Sequence, residues 1–512
     1  MPEAPLTVGA LLTRAVVDHP DRTYVVSPDC RLSYAEAQRR SAEHARWLLA
    51  RGVGKGTRVG LFFPNGPEWV TWWLAASRIG AIVVPLSTHY RAAELAKVVR
   101  LADVALMVAP VQVLNVDVAG LFEQAWPDLA GQRPARLMLT EAPFLRTIAI
   151  TGGAGPRWSD APRPDERVGA GLLARAEAEV SAADLTIMVH TSGSTADPKG
   201  VLHTHGTLVR QTSTWPAAVR AVTGSDASPV ILCAMPFFWI GGVLAVTGAL
   251  HEPVTLLVLP RLDPGVALEL IESERATGVV GWPAFTQRLR AHPDFATRDL
   301  SSAPLLRDGP VDIAMTNVPD GFPVHRTMSE TAGGFGYTEI VVVDESGAPV
   351  EDGTVGELWV RGIGVMAGYN KRERSDTFDV DGWYHTGDRV YRKPGDPRLF
   401  YVGRSTDLIK TSGANVSPLE VEAVIESFHD VAQCVVVGIE HPERGEEVCA
   451  VVVPIGGELD TAAVARRTAT LLSSYKVPSR WILAASERIP TLASGKLDRK
   501  ALREWVQDGA VR

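Results

Sequence analysis

The sequence predicts an α/β fold with a large N-terminal domain of helix-covered sheets and a small α+β C-terminal domain. Helix-like and strand-like segments alternate between residues 30 and 110. The pattern becomes β-rich from Glu339, and after Arg404 it changes to a mixed tail of about a hundred residues, which is enough for a small domain. A chain of 512 residues is also too long for one hydrophobic core.

The N-terminal alternation consists of four short segments with different apolar periodicities. In order, a helix, a strand, a helix and a strand are predicted at residues 32–53, 57–63, 68–81 and 82–87. This order favours a parallel sheet covered by helices. Residues 115–170 are rich in Pro, Gly and Arg, so we predict irregular surface there, and a second α/β stretch begins near Leu185.

The C-terminal part is predicted to start as strands and to end as a mixed domain. The predicted strands and helices are residues 339–344 and 356–362 (strands), 419–428 (helix), 431–440 and 446–454 (strands) and 461–475 (helix). We place the large domain at 1–405 and the small, mobile domain at 406–512. The hinge is expected at Thr406, because hinges fall at short connections that absorb backbone rotation.

Composition excludes several classes of function. The net charge is −8, which leaves no basic footprint for nucleic acid. No apolar run approaches the roughly 20 residues of a membrane span, and the N-terminus lacks the pattern of a signal peptide. The four cysteines are far apart, which favours reduced thiols over disulfides or a zinc site. A cytoplasmic location is expected.

The strongest local motif is HTSGSTADPKG at residues 190–200, which follows the apolar run LTIMV. Its glycines would let the backbone approach an anion, its hydroxyls and amides would donate to phosphate oxygens, and its lysine adds a charge. The spacing is not that of a Walker A loop, and an ordinary turn is an equally good interpretation of the motif alone. The candidate phosphate ligands are Thr191, Ser192, Gly193, Ser194, Thr195 and Lys199.

Further motifs follow in a fixed order. They are TMSET at 327–331, GELWVRG at 356–362, GWYHTGD at 382–388, GRSTDLIK at 403–410, SGANVSP at 412–418 and SGK at 494–496. With the loop at 190–200, this series resembles the adenylate-forming superfamily, which includes acyl-CoA synthetases, luciferases and peptide-synthetase adenylation domains. The resemblance covers nearly the whole chain. MPFFWIGG at 235–242 looks most like acyl-CoA synthetases that act on hydrophobic acids.

The resemblance implies a two-step reaction. A carboxylate attacks the α-phosphate of Mg-ATP to give acyl-AMP and pyrophosphate; the C-terminal domain then rotates, and the thiol of coenzyme A attacks the acyl carbonyl. The first step brings two anions together, so cations and hydrogen-bond donors have to offset their repulsion. The implied ligands are a carboxylic acid or its acyl-AMP, ATP with Mg²⁺, and coenzyme A.

Five residues take roles in adenylate chemistry by this resemblance. Glu330 would hold Mg²⁺, which prefers oxygen ligands, with Ser329 beside it in the nucleotide site. Asp388 would accept from the ribose hydroxyls with Arg404 nearby, and Lys496 would reach the acyl carboxylate and the α-phosphate. Each has a plainer alternative, since Asp388 would also cap a turn, Glu330 would end a helix and Lys496 would be a solvated lysine.

The acyl and coenzyme A sites are also implied by resemblance. Gly413, on the loop at 412–417, would face the coenzyme A channel and act in thioester formation. The walls of the acyl pocket would be Trp239, Gly241, Gly242 and Trp282. Ordinary core packing is the alternative for the two tryptophans.

The sequence departs from the family around the adenine base. Arg326 and Thr327 stand where an aromatic residue and glycine are usual, LLRDGP at 305–310 replaces a Gly-Gly-Ala-Pro-like segment, and roughly twenty residues after Glu330 are missing. Ala196 also replaces a usual glycine. A lost base–aromatic stack costs about 1–3 kcal/mol, although the Arg326 guanidinium would be an alternative stacking group.

These departures lead to a narrower hypothesis. The chain would accept an acyl-AMP made by a separate adenylating enzyme and would perform only the thioester step. Three alternatives stay open: a complete ATP-dependent acyl-CoA synthetase, an enzyme that loads a separate carrier protein, and a non-catalytic acyl-nucleotide binding protein. The pocket segments indicate a hydrophobic acid without identifying it.

Overall fold

The chain folds into two compact units. A computed structural model describes residues 6–163, 165, 167–191, 197–223, 228–281, 283–304, 306, 338–395, 399–404, 408–456, 459–485, 488–490 and 497–507. Unit 1 consists of Met1–Thr88, Val99–His190 and Gly200–Gly403, and unit 2 consists of His89–Val98, Thr191–Lys199 and Arg404–Arg512. The predicted limits of 1–405 and 406–512 differ from these units, since two short segments before residue 200 group with the C-terminal residues.

The described α-helices are α1 Val8–Asp18, α2 Tyr34–Ala50, α3 Pro67–Arg78, α4 Ala92–Leu101, α5 Val118–Ala125, α6 Ala170–Ala178, α7 His205–Thr212, α8 Trp215–Thr223, α9 Ile240–Gly248, α10 Pro264–Ser273, α11 Pro283–Ala291, α12 Pro418–Glu426, α13 Thr461–Leu471 and α14 Arg499–Gln507. Four of them, α2, α3, α12 and α13, lie in the segments where the sequence predicted helices. Several of the helices begin with a side-chain N-cap: Ser33, for example, accepts from the N–H of Glu36 at the start of α2.

The described strands mostly alternate with these helices up to residue 291, whereas those after residue 338 belong to a β-rich stretch of unit 1 and to unit 2. They are β1 Thr23–Ser27, β2 Cys30–Ser33, β3 Arg58–Leu61, β4 Ile82–Pro85, β5 Leu106–Pro110, β6 Gln112–Val113, β7 Val116–Asp117, β8 Thr147–Thr151, β9 Leu185–Thr191, β10 Lys199–Thr204, β11 Val230–Cys233, β12 Thr255–Leu257, β13 Gly278–Val280, β14 Glu339–Val343, β15 Gly356–Arg361, β16 Gly368–Tyr369, β17 Tyr384–Arg392, β18 Leu399–Arg404, β19 Ile409–Thr411, β20 Ala414–Val416, β21 Val431–His441, β22 Gly445–Pro454 and β23 Arg480–Leu483.

Two mainly parallel sheets form the centre of unit 1. One has the order β16-β10-β9-β4-β3-β5-β8, and the other has the order β13-β11-β12-β1-β2. The pairs β3–β4, β3–β5, β4–β9, β1–β12 and β11–β12 are parallel. Their strands are short apolar runs, as expected when helices cover both faces of a sheet. The predicted α/β class is therefore confirmed.

The prediction of irregular surface at 115–170 is wrong. The structure places α5 in this stretch, with Asp117 accepting from the N–H groups of Ala119 and Gly120 at its start. It also places β8, whose residues Thr147–Ile150 are buried and pair in parallel with β5. The composition of the whole stretch obscured these two short apolar runs, since a strand needs only a few residues.

Tryptophans on α3 dominate a large core of unit 1. Every residue of α3 except Glu68 is buried. Trp72 packs edge-on against Trp47 of α2 with ring centroids 5.7 Å apart, and Trp69 stacks on Trp73 at 6.0 Å. A helix that is buried on nearly all sides is typical of the interior of a large domain.

Unit 2 contains a five-stranded sheet with helices on both faces. The strand order is β20-β19-β22-β21, and β23 pairs in parallel with β22. On one face Val436 packs in a core with Val421 of α12 and Val464 of α13. On the other face Val435 packs with Leu502 of α14. Because one sheet carries helices on both faces, unit 2 has the small α+β architecture that the sequence predicted.

Membrane-spanning helices and disulfides are both absent from the described residues. None of the helices within the described ranges is long and apolar enough to cross a membrane. The four cysteines are free; Cys233, Cys434 and Cys449 are buried, and Cys30 is half-buried. Burial raises the pKa of the Cys233 thiol to about 12, so it stays protonated near neutral pH. The hinge residue Thr406 lies outside the described residues.

Candidate functional site

Two strands frame the predicted phosphate loop. β9 ends at Thr191, which is exposed, and β10 begins at Lys199, which is half-buried. The two strands are neighbours in the seven-stranded sheet. Ser192, Gly193, Ser194 and Thr195 lie outside the described residues, so their predicted contacts to phosphate stay a prediction.

The charges around this loop come from its C-terminal side. Asp197 Oδ1 lies 2.6 Å from Lys97 Nζ on α4, and both residues belong to unit 2. His190, at the end of the buried part of β9, contributes little charge, because burial lowers its pKa to about 4. Within the motif at residues 190–200, the positive charge near the C-terminal end of the loop is that of Lys199.

The acyl segment MPFFWIGG forms a turn between β11 and α9. Asn65, which is 8% exposed, holds this turn with both ends of its side-chain amide. Its Nδ2 donates to the carbonyl of Met235 at 2.9 Å, and its Oδ1 accepts from the N–H of Phe237 at 2.8 Å. The Phe237 ring also packs on Trp69 at a centroid distance of 5.1 Å. The turn is thus fixed to the segment that joins β3 to α3.

Trp239 sits at the end of this turn as the N-cap residue of α9. Its carbonyl accepts from the N–H groups of Gly242 and Val243, at 3.1 and 3.2 Å. Its ring is half-buried and lies edge-on to Phe238 at 5.6 Å. A partly accessible tryptophan on a fixed turn is suited to forming the wall of an apolar pocket. Trp282 lies outside the described residues.

The two glycines at the start of α9 allow close packing. A Cβ atom on Gly242 would lie 2.3 Å from the backbone oxygen of Pro236, and one on Gly241 would lie 2.4 Å from Cε of Met235. Both distances are shorter than a Cβ atom tolerates. At Gly242 the obstacle is backbone, so packing alone requires glycine there, whereas at Gly241 packing requires glycine only while the Met235 side chain keeps its position. This reason exists whether or not the two residues also line an acyl pocket.

Asp388 lies on β17 at an irregularity of the sheet. The pairing of β15 with β17 shifts register between Glu357 and Trp359. Gly387, with φ of 72°, donates its N–H to Glu357 Oε1 at 3.0 Å, and the Asp388 N–H donates to Thr386 Oγ1 at 3.0 Å. The Glu357 carboxylate and the Thr386 hydroxyl are therefore side-chain acceptors at this bend. Bulges often redirect a side chain beside a functional site.

Gly413 occupies a tight hairpin between β19 and β20. Ser412 has φ of 49° and Gly413 has φ of 84°, and Thr411 pairs with Ala414 across the turn. Two consecutive positive φ angles are typical of a type I′ turn, which favours glycine at its second central position. The backbone alone therefore explains Gly413. Beside the turn lies a cavity of about 240 Å³, whose lining includes Ser412, Arg444, Ser474 and Ser479.

The remaining predicted residues are only partly described. Arg404 is the last residue of β18, and only its backbone is described. Ser329, Glu330 and Lys496 lie outside the described residues. Among the described residues, no group of three or more His, Cys, Asp or Glu side chains could hold a metal ion. Mg²⁺ binding by Glu330 therefore stays a prediction.

Two residues with buried polar contacts were missed by the sequence analysis. Asn65 lies in FFPNGPEW, where an asparagine between an apolar strand and a helix starting at proline would also suit a simple turn. Lys476 lies in SSYKVP and is 5% exposed, although lysine is seldom buried. No local pattern marks either contact, because the partners are distant in sequence.

Comparison with known proteins identifies the family. The family model described as AMP-binding enzyme matches residues 12–308, and the one described as AMP-binding enzyme C-terminal domain matches residues 420–496. A feruloyl-CoA synthase from Amycolatopsis sp. is 31% identical over 97% of this chain and 98% of its own. A 3-[(3aS,4S,7aS)-7a-methyl-1,5-dioxo-octahydro-1H-inden-4-yl]propanoyl:CoA ligase from Mycobacterium tuberculosis is also 31% identical, with the same coverage.

A solved structure shows the same fold. The amide bond synthetase McbA from Marinactinospora thermotolerans matches with a TM-score of 0.76 and 25% identity, covering 97% of this chain and 100% of its own. The family models together cover more than half of the 512 residues, and the relatives span almost the whole chain. The chain therefore belongs to the AMP-binding enzyme family, on its acyl-CoA ligase branch, and is an enzyme of the acid–thiol ligase type.

Proposed function

We propose that this enzyme joins a hydrophobic carboxylic acid to coenzyme A through an acyl-AMP. The observation that carries the proposal is the fixed turn MPFFWIGG, which presents a half-buried Trp239 on a scaffold held by Asn65. A rigid apolar wall of this kind selects acids by shape and apolar surface, at about 25 cal/mol per Å² buried. Gly241, Gly242 and Trp282 are the further pocket residues in this proposal.

The relatives support a hydrophobic acid as substrate. Two proteins that are 31% identical are named for a feruloyl group and for a bicyclic propanoyl group. Others, at 27–28% identity, are named medium-chain acyl-CoA ligases. The acid of this enzyme is therefore proposed to be apolar, with either a ring or a medium-length chain.

The nucleotide is proposed to bind through the residues that match the family motifs. Thr191 to Thr195 and Lys199 would hold the phosphates, Asp388 would accept from the ribose hydroxyls, and Arg404 would lie beside them. Glu330 would hold Mg²⁺ with the phosphates of ATP, and Ser329 would lie beside it in the nucleotide site. Lys496 would offset the charge of the acyl carboxylate and the α-phosphate as they approach.

Coenzyme A is the proposed acceptor in the second step. The hairpin that carries Gly413 lies beside a cavity of about 240 Å³, whose lining residues include Arg444 and several residues with hydroxyl groups. In this step the sulfur of coenzyme A forms a bond to the acyl carbonyl carbon. The bond from that carbon to the phosphate oxygen breaks, AMP leaves with the electron pair, and the thiol proton passes to solvent. A cytoplasmic location stays part of the proposal.

A second candidate function is the thioester step alone. The adenine-side residues depart from the family pattern at Arg326 and Thr327, and the match to the first family model ends at residue 308, close to where the departures begin. An enzyme with poor adenine contacts would still hold an acyl-AMP through the apolar surface of its acyl group. A separate adenylating enzyme would then have to supply the acyl-AMP.

One pair of assays distinguishes these functions. The purified enzyme is given a panel of acids, including ferulate, octanoate and a bicyclic propanoate, and separately their preformed adenylates with coenzyme A. Acid-dependent exchange of pyrophosphate into ATP together with acyl-CoA formation supports the complete ligase. Acyl-CoA formed only from adenylates supports the thioester step alone. Preference for a carrier protein over coenzyme A, or no turnover at all with a correctly folded enzyme, contradicts the proposal.

A further inference from the structure

Lys476 forms a buried ion cluster in unit 2. Its Nζ lies 2.7 Å from Glu94 Oε1 on α4 and 2.7 Å from Glu420 Oε1 on α12. The residues Lys476, Glu94 and Glu420 are only 5%, 7% and 8% exposed. Ser473 is fully buried and donates from Oγ to Glu94 Oε2 at 2.8 Å. All of these residues belong to the same unit.

The cluster contributes little net free energy to the stability of the fold. It places two carboxylates and one ammonium group away from water, and the loss of hydration of such groups offsets much of their attraction. Burial alone would lower the pKa of Lys476, but the carboxylates of Glu420 and Glu94 raise it well above its usual range. The lysine is therefore charged at every pH near neutrality. Such a cluster is best explained by the geometry that it imposes.

That geometry links two segments that are distant in sequence. Glu420 lies in the first turn of α12, which begins after β20 and the single residue Ser417. The strand β20 leads directly from the hairpin loop that carries Gly413. Glu94 lies in the first turn of α4 and also accepts from the N–H of Arg91 at 2.9 Å. The ring of Tyr475, next to the lysine, packs edge-on against His89 at 6.0 Å. Lys476 thus fixes the start of α12 against the segment 89–98.

We infer that Lys476 is a positioning residue for thioester formation, because it holds α12 and so the preceding loop that carries Gly413. The inference rests on the proposed function. In this role Lys476 touches neither the sulfur, the carbonyl carbon nor the leaving phosphate. It acts through Glu420 and the backbone that joins α12 to the loop. A misplacement of about 1 Å can lower a rate about a hundredfold, so loss of the cluster affects the rate of this step more than the binding of ligands.

The test compares Lys476→Met and Lys476→Arg with the wild-type enzyme. We measure the rate of acyl-CoA formation from acyl-AMP and coenzyme A, and the affinity for a non-hydrolysable acyl-adenylate analogue. Lys476→Met is expected to lower kcat at least about tenfold while the affinity for the analogue changes less than about twofold. Lys476→Arg, which keeps the charge, is expected to recover part of kcat. The wild-type enzyme reports separately on the proposed function, since failure to make acyl-CoA from any adenylate would reject that function before any variant is compared.

Two further variants separate positioning from folding. Lys371→Met removes a lysine that pairs with Asp103 at 2.7 Å but is half-exposed, and it is expected to leave kcat unchanged. If Lys476→Met fails to fold, Lys476→Met with Glu94→Gln removes one of the two buried negative charges, and thermal unfolding shows whether the fold returns. A folded double variant that remains slow supports the inference. A double variant with wild-type kcat, or a Lys476→Met enzyme that loses analogue binding and kcat in equal proportion, overturns it.

Discussion

Asn65 Nδ2 donates to the carbonyl of Met235 at 2.9 Å, although 170 residues separate them in sequence. This contact and its partner at Phe237 fix the turn that presents Trp239. Both backbone groups would lose their side-chain partner if the amide were removed. The shape of the proposed acyl pocket therefore depends on a residue that is not expected to touch the acid.

Replacing Asn65 by leucine is expected to destabilise the enzyme and to weaken its use of acids. Each buried polar group left without a partner costs about 1–3 kcal/mol, so thermal unfolding should shift to lower temperature. KM for the acid or its adenylate should rise more than KM for coenzyme A. Asn115→Leu, at an exposed asparagine, is the control. Equal changes in both KM values would contradict a role for Asn65 in shaping the acyl site.

Replacing Trp239 by alanine is expected to change the preference among acids more than the use of the nucleotide. The indole is half-buried beside Phe238, so its removal enlarges the proposed pocket while the backbone bonds at the start of α9 remain. Larger acids or adenylates should gain in kcat/KM relative to small ones. The measurement is kcat/KM across a series of acids of increasing size, and a uniform loss for all of them would remove Trp239 from the selectivity wall.

Substitutions of Gly413 are expected to separate backbone strain from obstruction of the coenzyme A channel. Gly413→Val adds a side chain at a backbone φ of 84°, which valine tolerates poorly. Both the stability of the enzyme and the rate of thioester formation should therefore fall. Asparagine tolerates positive φ; Gly413→Asn should keep near-wild-type stability and still slow thioester formation if this position faces the channel. Gly353→Asn, at φ of 89° with nothing within 4 Å of the added Cβ, should change neither. A fast, stable Gly413→Asn enzyme would place the channel elsewhere.

Stability is expected to fall as the pH decreases from about 6.5 towards 4. Burial lowers the pKa of His205 to about 4, whereas an unfolded histidine titrates near 6.5. Between these values the unfolded state binds more protons than the folded state, so the free energy of unfolding rises with pH. Between pH 7 and pH 5 the free energy of unfolding should therefore decrease by roughly 2 kcal/mol less in His205→Gln than in the wild-type enzyme.

Denaturant unfolding at several pH values measures this effect. Glutamine keeps an acceptor for the Val8 N–H, which donates to His205 Nδ1 at 3.2 Å. His429→Gln, at an exposed histidine, is the control for the histidine-to-glutamine change itself. A His205→Gln profile parallel to that of the wild type would show that His205 does not titrate in this range.

The fold was predictable where one segment determines its own structure. The helix at 32–53 and the strand at 82–87 were visible as periodic or continuous apolar runs, and the structure places α2 and β4 there. The segment 115–170 was not predictable from average composition, since TIAIT forms a buried strand only when β5 is beside it. The pairing of β8 with β5, rather than local sequence preference, determines that this segment is a strand.

The candidate site divides in the same way. Motif order identified the family, because glycines and hydroxyls at fixed spacing are local features of the sequence. The buried contacts of the Asn65 amide and the Lys476 ammonium group could not be predicted from the sequence. Their partners, Met235 and Glu94, lie 170 and 382 residues away in sequence. Long-range polar contacts leave no periodicity, so only coordinates reveal them.

The glycine pair of MPFFWIGG bears on how the acid range of this enzyme can be changed by directed evolution. At Gly241 an added methyl group would meet Cε of Met235, the far end of a flexible side chain that can rotate away. At Gly242 it would meet the backbone of Pro236, which has no such freedom. A mutant library that varies Trp239, Gly241 and Met235 together, with Gly242 left intact, should therefore contain many more folded members than one that also varies Gly242.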